Sequence, residues 1–159
     1  MTSKPINLPS LSENKVHNFI NENIKNLDNP TILEFGVRAG HSTKYFLEIC
    51  KKNNGRCFSV DMNDYSNLFN DKNWKFIHSK DENFEFIKKQ IPEKFDVIFL
   101  DTIHTANHVE KILYYYFDKL KVGGIFVIDD NSLLPYLKNR EKNNFSLEIN
   151  NQETFERFI

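Results

Sequence analysis

The chain reads as one α/β domain built on a doubly wound sheet of about five parallel strands with helices on both faces. Three observations lead there. Short apolar runs at Thr31–Phe35, Arg56–Val60, Trp74–His78, Phe95–Leu100 and Ile125–Ile128 alternate with segments of helical periodicity. The FDVIFL run at 95–100 is apolar almost throughout, as a strand covered on both faces requires. Four of the five runs end on or beside an acid: Glu34, Asp61, Asp101, and the Asp129-Asp130 pair. In an open parallel sheet those positions share one rim, the rim where ligands bind.

The 159 residues suffice for one domain with a sizeable core. A net charge of −1 argues against a general nucleic-acid binder, which needs a basic surface. No apolar run approaches the length of a membrane span, and MTSKPINLPS lacks the apolar core of a signal peptide. The expected location is therefore cytoplasmic, with Cys50 and Cys57 as reduced, buried thiols.

The elements follow in order. Residues 1–11 form a loose leader, and 12–28 an N-terminal helix capped by Ser12, with Val16, Phe19, Ile20, Ile24 and Leu27 at helical spacing. Asn29-Pro30 ends it and leads into the first strand. Ser42 is the expected N-cap of the next helix, and Gly55 the glycine at its end. After the second strand, 62–73 is polar and loop-like, with a helical turn near Tyr65–Phe69. Asp81–Gln90 reads as a helix stopped before Pro92, and His104–Leu120 as a helix with Val109, Ile112, Leu113 and Phe117 on one side. Lys121–Gly124 reads as a turn into the fifth strand. Residues 31–131 make up the core unit. The tail, 132–159, carries helix signals only, without a further pair of strands. The expected sheet edge beside the fifth strand is then open, and either the sequence is a piece of a longer protein or a second copy or partner chain covers that edge.

The central stretch is TILEFGVRAGHST, residues 31–43. Gly36 and Gly40 bracket a strand-to-helix turn of the kind that brings backbone close to a ligand. The spacing is not GxGxxG, because Arg38 stands where the second glycine belongs, so a dinucleotide fingerprint is absent. Glu34 would repel a pyrophosphate and suits a ligand with positive charge, such as an ammonium or a sulfonium. Asp61, 25 residues after Gly36, can accept both hydroxyls of a ribose.

The runs LEFGVRAGHST, FSVD, FDVIFLDTIH and LKVGGIFVIDDN together resemble the class I S-adenosylmethionine-dependent methyltransferases, a Rossmann-like group. The resemblance covers roughly Thr31–Asn131 and is nearest to small-molecule and sugar O-methyltransferases, including cephalosporin-hydroxylase-like proteins. It implies that Glu34, Gly36, Val37, Arg38 and Gly40 line the methionine and ribose side of the cofactor. Ser42 and Thr43 would stand near the carboxylate, Asp61 on the ribose, Met62 against adenine, and Ser79 to Asp81 at the adenine edge. Asp101 and His104, three residues apart, can face the same rim, with His104 as a general base near neutral pH. The resemblance further implies a divalent cation such as Mg²⁺, held by Asp101, Asp130 and Asn131 with Asp129 as a substitute ligand. Two other readings stay open: Asp101 on the cofactor's amino group without a metal, and His104 as a helix cap. His108 is expected at the surface, and the run Tyr114–Phe117 in helix packing.

The function these observations predict is S-adenosylmethionine-dependent methyl transfer to the hydroxyl of a small molecule or sugar. The alternative is a truncated or partner-dependent S-adenosylmethionine-binding domain without transfer of its own. An NAD-linked oxidoreductase is disfavoured by Glu34 and the missing fingerprint.

Overall fold

The structure, a computed structural model, describes residues 11–129, with side chains from His17 onward. Its elements run α1 (Leu11–Ile24), β1 (Thr31–Phe35), α2 (His41–Lys52), β2 (Arg56–Asp61), β3 (Trp74–His78), α3 (Phe84–Lys88), β4 (Phe95–Leu100), α4 (Ala106–Phe117) and β5 (Leu120–Ile128). The five strands form one sheet in the order β3-β2-β1-β4-β5, and every pairing is parallel. The order reverses between β1 and β4, and in such sheets the crevice for a ligand lies beyond the carboxyl ends of the strands at that reversal.

Alternation along the strands divides the core into two layers. Leu33, Phe35, Phe58, Val60, Ile98 and Leu100 face α3 and α4, where Ile87, Val109, Ile112 and Tyr116 meet them. Ile32, Cys57, Val97 and Phe99 face α1 and α2, against Ile20, Ile24, Phe46, Leu47, Ile49 and Cys50. Burying a side chain of this size contributes about 1.5–3 kcal/mol, and these contacts hold the helices on the sheet. Cys50 and Cys57 are free and buried, as expected. At the opposite rim from the crevice, Asp96 Oδ2 accepts from the Thr31 amide and from Lys121 Nζ, both at 2.7 Å, tying β1, β4 and β5 together.

Several boundaries differ from the sequence reading, each for a local reason. Helix α2 starts at His41 on Gly40, which takes the left-handed conformation at φ 76, so Ser42 is not the cap. At its other end the left-handed residue is Asn54, with φ 56, and the Gly55 amide reaches back to Cys50 O at 2.8 Å. Gly55 is required for space instead: a Cβ there would lie 2.4 Å from the Pro30 carbonyl oxygen. Helix α3 is only five residues long, because Asp81 turns its side chain away to α4 and Asn83 becomes the cap. Helix α4 starts two residues later than expected, behind Thr105, and buries Tyr116 rather than Phe117. Tyr114 and Phe117 are exposed, so only the middle of the aromatic run packs. The expected helical turn at 65–69 is a single turn closed by Leu68 N–H to Tyr65 O at 2.9 Å. The expected turn at 121–124 belongs to β5 as a bulge: Phe95 pairs with Leu120 and Val97 with Ile125, which leaves four residues, including Gly123 at φ 79, outside the ladder.

Among the described residues no helix is long and apolar enough to cross a membrane. Within that range β5 pairs with β4 alone. Asp130, Asn131 and the 132–159 tail lie outside the described residues.

Candidate active site

The site is built over Glu34. Its place on β1 points it to the α2 face, beneath the glycine turn, and it is wholly buried. Oε1 accepts from Ser42 Oγ at 2.6 Å; Oε2 accepts from Thr43 Oγ1 at 2.7 Å and Ser59 Oγ at 2.6 Å. Ser59 in turn accepts from the Trp74 indole N–H at 2.9 Å. Burial raises the Glu34 carboxyl from 4.5 to about 7 against the pull of these three hydroxyls, with the Asp101 charge adding to the rise. Ser42 and Thr43 thus serve as arms of a buried acid that sets the field under the turn, and Glu34 does not lie on the crevice surface.

The turn itself is held by Asp61. Its Oδ2 accepts from the Val37 amide at 2.8 Å and, more weakly, the Arg38 amide at 3.4 Å; its Oδ1 accepts from the Asn63 amide at 2.9 Å. A carboxylate offers about four lone-pair sites, so Asp61 retains capacity for a further donor. The Gly36 amide donates to Val60 O at 2.9 Å. With φ at 93, Gly36 sits so close to the next loop that a Cβ would lie 1.9 Å from the Asp101 carbonyl oxygen. Gly36 is therefore required by a backbone crossing. Gly40 is roofed by Leu68 and Phe69, whose side chains a Cβ would meet at 2.5 and 2.9 Å.

Met62 follows Asp61 and is 61% exposed, an uncovered apolar surface beside a carboxylate. With Ser79, Lys80, Asn83 and Phe86 it lines an open groove of about 540 Å³. The loop from β3 is anchored to β2 by the Ser79 amide on Asp61 O at 2.9 Å and by His78 Nε2 at 3.0 Å from Met62 O.

Across the switch point, the Asp101 amide donates to Phe35 O at 2.9 Å and the Asp129 amide to Leu100 O at 2.9 Å, so both acids sit on the same rim. His104 Nε2 is 3.3 Å from Asp101 Oδ1, both side chains partly exposed. Among the described residues no group of three metal-type side chains comes together. Asp101 and Asp129 are present on the rim, while Asp130 and Asn131 lie beyond what is described.

The sequence reading missed one cluster. Asp81 and His108 are nearly buried, with side chains 10% and 9% exposed, and His108 Nε2 lies 2.8 Å from Asp81 Oδ2. Thr102 Oγ1 donates to the same oxygen at 2.7 Å. His108 is thus no surface residue. Its spacing from His104 carried no such signal, because its partner is 27 residues away.

A parallel sheet whose order reverses between β1 and β4, with carboxylates along its carboxyl rim, belongs to the doubly wound class of α/β proteins. The family described as methyltransferase domain matches residues 33–131, and the chain belongs to it. Solved structures agree in fold. PaMTH1 from Podospora anserina, bound to S-adenosylhomocysteine, superposes with a TM-score of 0.72 at 16% identity, covering 94% of this chain and 68% of that one. MycE from the mycinamycin biosynthetic pathway, in complex with Mg and S-adenosylhomocysteine, gives 0.62 at 19%, covering 81% of this chain and 36% of its own. CalS11, a TDP-rhamnose 3′-O-methyltransferase of calicheamicin biosynthesis, gives 0.62 at 13%, covering 93% and 69%. The chain therefore spans about a third of the length of MycE. No curated protein sequence matches it.

Proposed function

We propose that this domain binds S-adenosylmethionine along the β2-β1-β4 rim and takes part in methyl transfer to a hydroxyl of a small molecule or sugar. The observation that carries the reading is the rim itself, with Asp61 stapling the glycine turn on one side of the switch point and the Asp101–His104 pair on the other. The residues fit the cofactor: Asp61 keeps lone-pair capacity for ribose hydroxyls, and exposed Met62 offers an apolar face to a base. Ser79 lines the same groove, with Asp81 two residues further on, and Arg38, Gly40, Ser42 and Thr43 shape the turn above buried Glu34. When bound, the cofactor supplies a methyl group on positively charged sulfur, which leaves as a neutral thioether.

The chain's own contribution is orientation and one proton. His104 takes the hydroxyl proton of the acceptor at Nδ1, and Asp101, 3.3 Å from Nε2, favours the imidazolium that results. A divalent cation held by Asp101 with Asp129, or with Asp130 and Asn131, would lower the hydroxyl's pKa in the same place. MycE, which was solved in complex with Mg and S-adenosylhomocysteine, supports a cation, and CalS11, a TDP-rhamnose 3′-O-methyltransferase, supports a sugar acceptor.

Calorimetric titration tests the site. Binding of S-adenosylhomocysteine is expected, and tight NAD binding with no response to S-adenosylmethionine would overturn the proposal. Among the described residues β5 pairs with β4 alone, which supports a second reading, in which this domain holds the cofactor and transfer needs a partner. Cofactor binding without turnover on any hydroxylated acceptor would select it.

A further inference from the structure

The Asp81–Thr102–His108 cluster joins the two loops that border the proposed cofactor crevice, and nothing in the transfer chemistry above uses it. Asp81 follows β3, Thr102 follows the rim acid Asp101, and His108 stands on the first turns of α4. Both Thr102 Oγ1 and His108 Nε2 converge on one oxygen, Asp81 Oδ2, at 2.7 and 2.8 Å, and lie 3.4 Å from each other. Tyr116, fully buried under the cluster, directs its hydroxyl to the Asp81 carbonyl at 3.3 Å. On its far side the His108 ring faces Glu82, with Nδ1 3.6 Å from Oε1, and Lys111 braces Glu82 at 2.9 Å.

Two donors on a single oxygen do two things. They fix the plane of the carboxylate, and they hold it ionised: burial works to raise Asp81, yet the hydrogen bonds from His108 and Thr102 outweigh it and leave the carboxyl below its ordinary range. An ionised, immobilised carboxylate at the edge of a purine accepts from an exocyclic amino group and repels an exocyclic carbonyl oxygen.

We propose that His108 is a positioning residue which, together with Thr102, orients Asp81 as the reader of the cofactor's purine edge, and so couples recognition of adenine to the loop that carries Asp101. The proposal rests on the cofactor reading above. It makes a discrimination, not merely an affinity, depend on a side chain that touches no ligand.

The test compares S-adenosylhomocysteine with S-inosylhomocysteine, which differs by a carbonyl in place of the amino group, in calorimetric titrations of the full chain. The wild type is expected to prefer the adenosyl ligand by about tenfold or more, the scale of one hydrogen bond to a charged group. His108→Ala and Thr102→Val should each compress that ratio to within about threefold. His108→Gln, which restores an N–H donor at similar reach, should recover most of it. General loosening of the fold would weaken both ligands alike and leave the ratio unmoved, so an unchanged ratio in folded His108→Ala and Thr102→Val overturns the proposal. Absence of a preference in the wild type overturns it as well. Failure of the wild type to bind either ligand sinks the cofactor reading itself, an outcome distinct from binding without discrimination.

Discussion

Glu34→Gln changes a single buried group, and its effect can be worked out from the structure. Glu34 is wholly buried and its carboxyl is raised from 4.5 to about 7, chiefly by desolvation. Below pH 4.5 the group is protonated in both folded and unfolded chains, and its contribution to stability is complete. Between 4.5 and 7 only the unfolded chain ionises, so stability falls as pH rises; above 7 both forms are ionised and the loss is finished. At about 1.4 kcal/mol per pH unit the total is roughly 3 kcal/mol. Glutamine keeps the shape: its oxygen can accept from Thr43 and Ser59, and its amide can donate to Ser42 once that hydroxyl turns. The variant should therefore gain about 3 kcal/mol relative to wild type between pH 4.5 and 8, or about 1.5 M in urea midpoint for a slope near 2 kcal/mol/M. Trp74, the chain's one tryptophan, donates to Ser59 in the same network, so its fluorescence reports the transition. Taking the difference between the two proteins cancels every other titrating group. A difference that stays flat across this range would mean that Glu34 is ionised throughout, and would refute the reasoning.

Four further outcomes are expected. Gly36→Ala places a Cβ 1.9 Å from a backbone oxygen at a positive φ, and should cost about 3 kcal/mol or more, read as a fall in urea midpoint. Asp61→Asn sets a side-chain N–H against either the Val37 or the Asn63 amide; about 1–3 kcal/mol of stability and at least tenfold in S-adenosylhomocysteine affinity should be lost, measured by titration calorimetry. His104→Ala should lower turnover by about a hundredfold while leaving that affinity within a factor of three, and in the wild type a chelator should abolish turnover that Mg²⁺ restores. Unchanged turnover in the variant removes the base, and unchanged turnover with the chelator removes the metal.

The strands were legible because apolar runs of the right length alternate with helical periodicity, and their acids fell at one rim because parallel pairing puts every strand end there. Residue pairs distant in sequence were not legible. That Asp61 would be spent partly on the Val37 amide, or that Gly36 would rest on Asp101, depends on where two loops cross in space. Glu34 was legible as an acid in the right place but not as a buried one, since its three hydroxyl partners come from α2 and β2. His108 was misread for the same reason: a polar residue on a helix gives no sign of a carboxylate arriving from the loop after β3. The left-handed residues Asn54 and Gly40 decided the ends of α2 where the hydroxyl and glycine signals pointed one or two positions away.

The contact between Gly36 and the Asp101 carbonyl has a consequence for anyone who would redesign this domain. The loops after β1 and β4 meet backbone to backbone, with no side chain between them to absorb a change. They form one mechanical part, and a graft that exchanges either must carry the other. The 62–73 loop meets the glycine turn through the Leu68 and Phe69 side chains instead, which can be resized without moving the main chain. Diversification of what the crevice accepts is therefore cheapest there, on the roof of the pocket and not in its floor.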